Sequence, residues 1–595
     1  MQSLRAYTRL YTQFRTAITP ALASRSFPVR QMSVSLPQTR PLSDTEVEGP
    51  ALKKQKIEIT TLEQKDSPVP EETATEVVIS LESAQSANVQ KPKKKKKRKD
   101  PPLPEACTGA DVLYQEIREL LGGDVVDKVT QAGGAFQSPY NFGEEVEVKI
   151  ETISSNGTGI AIAPAEKGPW AIIVPFSLTG ETVRVRIGKT DRMYSVGHPL
   201  EILVKNTELR DDSRVQCKYF GTCGGCQYQM LSGETQLDLK RNVIVKAFKT
   251  YSQLPESAIP PIESTVESPL VYAYRTKITP HFERPPKYAK KEDVKDGEQP
   301  PWLKIGFNVT NSNSTLDIEE CPIATSVLNE QYKIDRQKIT KNIFSYKKGV
   351  SLLYRDSLDP TIDAKEMMTP PIDKLSDAFT RHVCVTDQNA TAREMIGDYL
   401  FEYTAGGFFQ NNNSVLPLMV DHVKGLIKSS ETSGSGRRPT HLVDTYCGAG
   451  LFAISLSSMF DKVAGIELSK SSIESAKRNA ELNSISSEKI SFLAGDASNI
   501  FATVKEFPPQ DTVVVIDPPR KGCDEPFLKQ LLDFRPNTVV YVSCNVHSQA
   551  RDVDAIVRRT QDNEEGKRYR LESLRGFDLF PQTAHVESVA LLRLY

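Results

Sequence analysis

Between His441 and Asn545 the chain repeats one pattern five times: a short apolar run that ends on a polar or ionisable residue. His441-Leu-Val leads to Asp444, Val463-Ala-Gly-Ile466 to Glu467, and Ile490-Ser-Phe-Leu493 to Asp496. Val513-Val-Val-Ile516 leads to Asp517, and Val539-Val-Tyr-Val542 to Ser543-Cys544-Asn545. The spacing between runs predicts helices over 471–482 and 526–532. Strands that alternate with helices form a parallel sheet with right-handed crossovers, an α/β fold of the Rossmann-like kind. In such a sheet the strand C-termini share one edge, and ligands bind there. Asp444, Glu467, Asp496, Asp517 and Cys544 are therefore expected to converge.

The turn after the first strand reads Asp444-Thr-Tyr446-Cys-Gly448-Ala-Gly450. It has neither the G-x-G-x-x-G of a dinucleotide site nor the G-K-S/T of a phosphate loop. Its glycines let a ligand approach the backbone. Glu467, at the end of the second strand, is placed to accept hydrogen bonds from ribose hydroxyls. Asp496 can take an adenine amino group. A ring of acids suits a cationic sulfonium better than a pyrophosphate, which points to S-adenosylmethionine. Cys544 stands at the same edge beside Asp517-Pro-Pro-Arg520, the polarised setting that a nucleophilic thiol needs. Cys447 and Cys523 read as buried small hydrophobes, the commoner fate of cysteine. Glu587 opens the last apolar run; a half-buried Glu has a raised pKa and can act as a general base, although a cap or salt bridge is the plainer reading. His585 is a weaker candidate.

A second cluster lies upstream. Cys217, Cys223 and Cys226 form C-x5-C-x2-C around Gly221, Gly224 and Gly225, and Cys321 is the candidate fourth member. Four thiolates suit a [4Fe–4S] cluster or a structural zinc. Zinc sites more often pair two C-x2-C units, so one pair and a distant fourth ligand favour iron–sulfur.

The rest of the chain is organised around these two sites. Lys plus Arg total 75 against 76 for Asp plus Glu, which rules out a uniformly basic nucleic-acid coat but not a local patch. No uncharged apolar stretch reaches the ~18 residues of a membrane span. Arg5, Arg9, Arg15, Arg25, Arg30 and Arg40 all precede the first acidic residue, Asp44, the composition of a mitochondrial transit segment. Residues 42–104 are polar and expected to be disordered, and the run from Lys91 to Lys99 is a nuclear-localisation or RNA-attracting candidate. Together the two signals predict mitochondrial and nuclear or cytoplasmic locations. Order is expected from near Ala106. Short alternating runs over 145–204, with turns at Asn156-Gly157, Gly168-Pro169 and Thr179-Gly180, predict a small β-barrel. The predicted layout is a targeting and largely disordered extension over 1–138, a barrel over 139–205, a mixed α/β region over 206–398 that binds RNA and carries the cysteines, and a transferase domain over 399–595.

Taken together, Phe409-Gln410-Asn411-Asn412, the Asp444–Gly450 turn, Asp517-Pro-Pro-Arg520, Ser543-Cys544-Asn545, His585-Val-Glu587-Ser588, the cysteine spacing and the barrel resemble the RNA uracil-C5 methyltransferase family. The resemblance covers roughly residues 139–595, with the barrel similar to a TRAM domain, and the polar extension is most like that of fungal members acting on tRNA uridine 54 of the T loop. It implies that Gln410, Tyr446, Glu467 and Asp517 line the S-adenosylmethionine site, that Cys544 is the nucleophile, and that Glu587 is the base. It also implies a tRNA partner, a monomer with no obligate protein partner, and no membrane association. The iron–sulfur cluster is not universal in the family, and Val546 stands where many members have proline. The implied chemistry is thiolate addition at uracil C6, methylation at C5, loss of the C5 proton and elimination of the thiolate. The target must leave its stack, and Phe408 or Phe409 could pack on a base or in the core. The alternatives are rRNA uracil or RNA cytosine methylation and a non-catalytic RNA-binding or tRNA-folding factor. A nuclease activity lacks a metal-binding carboxylate cluster.

Overall fold

The computed structural model describes residues 101–293, 298–364, 381–429, 438–495, 500–561 and 566–595. The transit-like segment, the lysine run and Asp496 lie outside the described residues.

Two helices precede the barrel, α1 (Gly109–Leu121) and α2 (Gly123–Gln131). Thr108 caps α1 by accepting from the Asp111 N–H at 3.3 Å. The extension expected over 1–138 therefore ends in folded structure: Leu113, Ile117 and Val126 share one core with the barrel's Ile150, Ile160 and Ile172. Order near Ala106 agrees with the sequence, and the apolar face of α1, Val112, Leu113 and Ile117, is buried. The barrel itself comprises β1 (Glu145–Ile153), β2 (Thr158–Ile162), β3 (Ala171–Pro175), β4 (Thr182–Asp191) and β5 (Tyr194–Val204). It closes in the order β1-β2-β3-β5-β4, with β3 and β5 parallel and the other pairs antiparallel.

The central region opens with α3 (Gly233–Tyr251) and β6 (Glu263–Val266). Short strands follow: β7 (Lys277–Ile278), β8 (His281–Phe282), β9 (Ile305–Asn308) and β10 (Thr315–Asp317). Then come α4 (Ser326–Asn342), β11 (Val350–Ser351), β12 (Tyr354–Leu358) and β13 (His382–Val385). They make two small sheets, β10-β9-β8-β11 and β13-β12-β7. A hairpin of β14 (Thr391–Ile396) and β15 (Tyr399–Thr404) leads to α5 (Leu416–Ser429).

The C-terminal region alternates as its apolar runs predict. It runs β16 (His441–Thr445), α6 (Leu451–Leu456), β17 (Lys462–Glu467), α7 (Lys470–Leu482), β18 (Ile490–Ala494) and β19 (Thr512–Ile516). It continues through α8 (Glu525–Phe534), β20 (Thr538–Ser543), α9 (Val546–Arg558), β21 (Tyr569–Phe577) and β22 (Glu587–Leu594). The sheet order is β18-β17-β16-β19-β20-β22-β21-β6. The first five strands are parallel, β22 runs antiparallel to both neighbours, and β6 pairs parallel with β21. Helices cover both faces, which explains strands that are continuously apolar rather than alternating. Leu442, Val513 and Val540 pack into one core and Val443, Val514 and Val539 into the other. Each such side chain contributes about 1.5–3 kcal/mol of burial.

Two elements cross the border that the sequence places at 398. Strand β6 completes the edge of the C-terminal sheet, and α3 packs on its face. Within α3, buried Lys240 pairs with buried Asp578 and donates to the Phe580 carbonyl at 3.0 Å. Among the described residues no helix is long and apolar enough to cross a membrane.

Candidate active site

Register brings the strand ends together. Thr445 lies between Ile466 and Ile516, Glu467 opposite Ala494, and Ile516 opposite Tyr541. Asp444, Glu467, Asp517 and Cys544 therefore share one edge. The turn after β16 needs positive φ at Tyr446 (62°), Gly448 (55°) and Gly450 (91°). A side chain at Gly450 would meet Ile454 Cδ1 at 3.0 Å, whereas Gly448 faces open space. Glu467 holds this turn: its Oε2 accepts from Gly448 N–H at 3.2 Å and its Oε1 from Ser469 N–H at 2.9 Å. Carboxylate lone pairs remain for a ligand hydroxyl. Asp444 is 1% exposed; its Oδ2 accepts from Ala453 N–H at 2.8 Å, while its Oδ1 is buried without a partner. Burial, with Asp517 and Glu467 nearby, pushes Asp444 well above the carboxylate range. An orphaned buried acceptor, an open glycine turn and several acids fit a cationic adenosyl cofactor. Gln410 is buried at the end of the loop that follows β15, and Tyr446 packs against Phe527.

Cys544 and Glu587 come from antiparallel strands. Ser543 on β20 lies opposite Ser588 on β22. The next residue of one strand and the previous residue of the other are neighbours in an antiparallel ladder, so Cys544 stands beside Glu587. Glu587 is 2% exposed, and its Oε2 has no hydrogen-bond partner. Burial, helped by Asp517 and opposed by Arg520, raises its pKa to about 8. Burial raises Asp517 to about 7. The Cys544 thiol is pushed up to about 12 by burial, then by Glu587 and Asp517, with Arg520 opposing. These shifts favour the thiol of Cys544 and the protonated form of Glu587 at neutral pH. A positive charge brought to this edge lowers all three pKa values.

The turn that carries Cys544 is fixed locally. Ser543 Oγ donates to the Asn545 carbonyl and accepts from Asn545 N–H, each at 3.0 Å. Asn545 caps α9 by accepting from His547 N–H at 3.2 Å. Val546 is the first helical residue, a position that favours proline but does not demand it, so the departure from the family pattern leaves the turn intact. His585 sits edge-on to Phe580, and burial lowers its pKa to about 3. Cys447 and Cys523 are each 6% exposed, in the core as expected.

The structure separates the two phenylalanines. Phe409 stacks on Tyr403 at 4.3 Å inside the core, whereas Phe408 is 79% exposed. The loop that presents Phe408 is gripped by two cations. Fully buried Arg355 donates to Gly407 O and Asn411 Oδ1, both at 3.1 Å, and Lys277 Nζ donates to Gly406 O at 3.1 Å. Burial, Arg355 and Arg275 lower Lys277 to about 8. The sequence analysis did not single out Arg275, Lys277 or Arg355; the only signal was the alternation Arg275-Thr276-Lys277 entering a short strand.

Cys217, Cys223, Cys226 and Cys321 line one cavity of about 350 Å³, with Phe220, Phe307 and Ile318 around them. Burial raises all four thiols, Cys226 to about 12 and Cys321 to about 11, and neighbouring thiols add to the effect at Cys223, Cys226 and Cys321. Among the described residues no three metal-ligating side chains close on a single ion.

The TRAM domain profile matches residues 141–200, and the profile of the tRNA (uracil-5-)-methyltransferase family matches residues 344–594. The chain is 40% identical over 518 residues to the tRNA (uracil(54)-C(5))-methyltransferase of Schizosaccharomyces pombe, covering 87% of this chain and 89% of that protein. It is 38% identical to the Saccharomyces cerevisiae tRNA (uracil(54)-C(5))-methyltransferase, covering 76% and 74%. The crystal structure of Pyrococcus abyssi tRNA (uracil-54, C5)-methyltransferase in complex with S-adenosyl-L-homocysteine superposes with a TM-score of 0.51 at 22% identity, over 75% of this chain and 100% of that one. The fold, the geometry of the strand-end site and the likeness to the two yeast proteins agree: the chain belongs to the tRNA (uracil-5-)-methyltransferase family.

Proposed function

We propose that the protein methylates C5 of uridine 54 in tRNA through a covalent bond between Cys544 Sγ and uracil C6. The observation that carries this reading is the antiparallel pairing that sets Cys544 beside Glu587, with Asp517 and Arg520 at the same edge. S-adenosylmethionine, held by Gln410, Tyr446, Glu467 and Asp517, supplies an electrophilic methyl group and a positive charge. Asp496 adds an acceptor for the adenine amino group. Arg520 and the incoming charge favour the Cys544 thiolate over the thiol. The thiolate adds to C6 and makes C5 nucleophilic. After the methyl group is on C5, Glu587 takes the C5 proton, and the C6–S bond breaks to return the thiolate. Phe408 packs on the extruded uracil or on a neighbouring base, while Arg275 and Lys277 face its phosphates.

The test is a denaturing gel of Glu587→Gln mixed with tRNA and methyl-labelled cofactor. A labelled, slow-migrating protein–RNA band that disappears in the Cys544→Ala/Glu587→Gln variant is expected. Near-normal turnover by Glu587→Gln overturns the assignment of the base. A label recovered on cytosine or on ribosomal RNA overturns the substrate, and RNA binding with no transfer at all points to a folding factor.

The four cysteines are proposed to hold a [4Fe–4S] cluster. A single zinc with Zn–S near 2.3 Å draws its sulfurs to within roughly 3.8 Å of one another. Four thiols spread around one cavity suit a multinuclear cluster better. Iron and sulfide in anaerobically purified protein are expected; stoichiometric zinc without iron overturns this reading. The chain is further proposed to work as a monomer, free of membranes and of any obligate protein partner, in mitochondria and in the nucleus or cytoplasm. Deletion of residues 1–40 should abolish mitochondrial import of a tagged chain and leave catalysis unchanged. An unchanged mitochondrial signal overturns it.

A further inference from the structure

The segment from Glu105 to Leu121 lies ahead of the barrel and outside both matched family regions. Nevertheless it reaches the nucleophile's turn. Asn545 Nδ2 donates to the Cys107 carbonyl at 3.0 Å and to the Arg520 carbonyl at 2.8 Å. With its oxygen capping α9, Asn545 thus ties together three pieces: the helix after the nucleophile, the Asp-Pro-Pro-Arg loop and this upstream segment. Cys107 is 3% exposed and held at φ 63°, a conformation that a non-glycine residue adopts only when its surroundings impose it. Asp111 imposes it. Its Oδ2 accepts from Cys107 N–H at 2.8 Å and from Tyr251 O–H at 2.7 Å. Tyr251 in turn sits edge-on to His547 at 5.5 Å.

The segment is bolted down at a second point. Glu116, 8% exposed, accepts from Ser155 N–H at 2.9 Å, Ser155 O–H at 2.8 Å and Lys246 Nζ at 3.1 Å. That fixes α1 to both the barrel and α3. A helix that served only as a cover for the barrel would need neither the buried Asp111 carboxylate nor the constrained Cys107 backbone at its tip.

We propose that Glu105–Leu121 is a positioning element for the nucleophile. By presenting the Cys107 carbonyl to Asn545, it holds the Ser543-Cys544-Asn545 turn and the Arg520 loop in the relation that Sγ attack on C6 requires. Misplacing a reacting atom by about 1 Å costs on the order of 10²-fold in rate. This inference rests on Cys544 being the nucleophile.

The test uses the full-length chain and tRNA carrying 5-fluorouridine at the target. Fluorine at C5 leaves no proton to remove, so the methylated adduct on Cys544 accumulates. Three variants are compared with wild type: Asp111→Ala, Asn545→Ser and their combination. Serine keeps the helix cap but cannot reach either carbonyl. Each single variant should slow adduct formation by roughly 10- to 100-fold at saturating RNA and cofactor. Cofactor affinity should be unchanged, and the double variant should be no slower than the slower single one, since both act through one contact. Glu119→Ala, on the same helix as Asp111, removes an exposed ion pair with Lys249 of α3 and should react at the wild-type rate. Multiplicative effects, or a deficit in Asp111→Ala that only tracks its unfolded fraction, overturn the proposal. A wild-type chain with no Cys544-dependent adduct overturns the catalytic reading itself; a wild-type adduct formed equally fast by all variants overturns only the positioning role.

Discussion

The catalytic edge and the cysteine cavity both bury sulfur, and burial raises the thiol pKa in both. Their company differs. Cys544 has Glu587 and Asp517 on one side and Arg520 on the other, so its charge state answers to whatever cation arrives. Beyond burial, the charges that raise Cys226 are the other three thiols, and those that raise Cys321 are Cys217 and Cys223. Four such groups ionise together only around a cation that stays. One site sets its thiol among charges of both signs, the other sets its thiols among one another.

The largest expected effect separates the two outright. Cys544→Ala should abolish both product and adduct while cofactor and tRNA still bind, whereas Cys223→Ser should remove the iron and lower the melting temperature. Loss of adduct in both variants at equal folded fraction would erase the distinction. Next comes Glu587→Gln, for which a slowdown of about 10²–10⁴-fold is typical of a lost general base. Its single-turnover pH profile should lose the rise expected of the wild type as Glu587 gives up its proton, which the cationic cofactor moves below the value of about 8. Phe408→Ala should weaken tRNA binding by about 1–3 kcal/mol, the worth of one stacked base, with little change in melting temperature. Phe409→Ala should instead lower stability by about 3–5 kcal/mol, as a buried aromatic does. Equal effects on binding would mean that exposure is not what distinguishes the two rings.

The last effect is on stability alone. Between pH 4.5 and about 8 the folded chain keeps a proton on Glu587 that the unfolded chain has released. The unfolded state therefore binds fewer protons, and stability falls as pH rises through this window, by at most about 1.4 kcal/mol per pH unit for this group. The wild-type melting temperature should drop more steeply over that range than that of Glu587→Gln. Parallel curves would place the Glu587 proton elsewhere.

Much of this was legible because the physics is local. Five buried parallel strands need apolar runs, and their ends share one edge, so the convergence of Asp444, Glu467, Asp517 and Cys544 could be read directly from the chain. Glu587 was harder, since its value comes from an antiparallel partner strand that no local pattern reveals. Arg355 and Lys277 were invisible: both grip the carbonyls of a distant glycine pair, and a carbonyl leaves no mark in a sequence. The same holds for Cys107, which acts on Asn545 through its backbone oxygen. The roles of Phe408 and Phe409 were undecidable from sequence because adjacent residues share a composition but not a direction.

Strand β6, which closes the edge of the catalytic sheet, emerges from the ribosome more than a hundred residues before the first parallel strand of that sheet. The sheet's last strands, β21 and β22, come at the very end of the chain. Synthesis therefore delivers one border of the sheet early and leaves it waiting, with its partner β21 not yet made. For the protein engineer, this means that a cut at the apparent domain border near residue 398 yields a transferase half with a raw sheet edge and an N-terminal half with an unpaired strand. Cutting ahead of α3 keeps the sheet whole but parts Cys217, Cys223 and Cys226 from Cys321, so neither cut divides this chain cleanly.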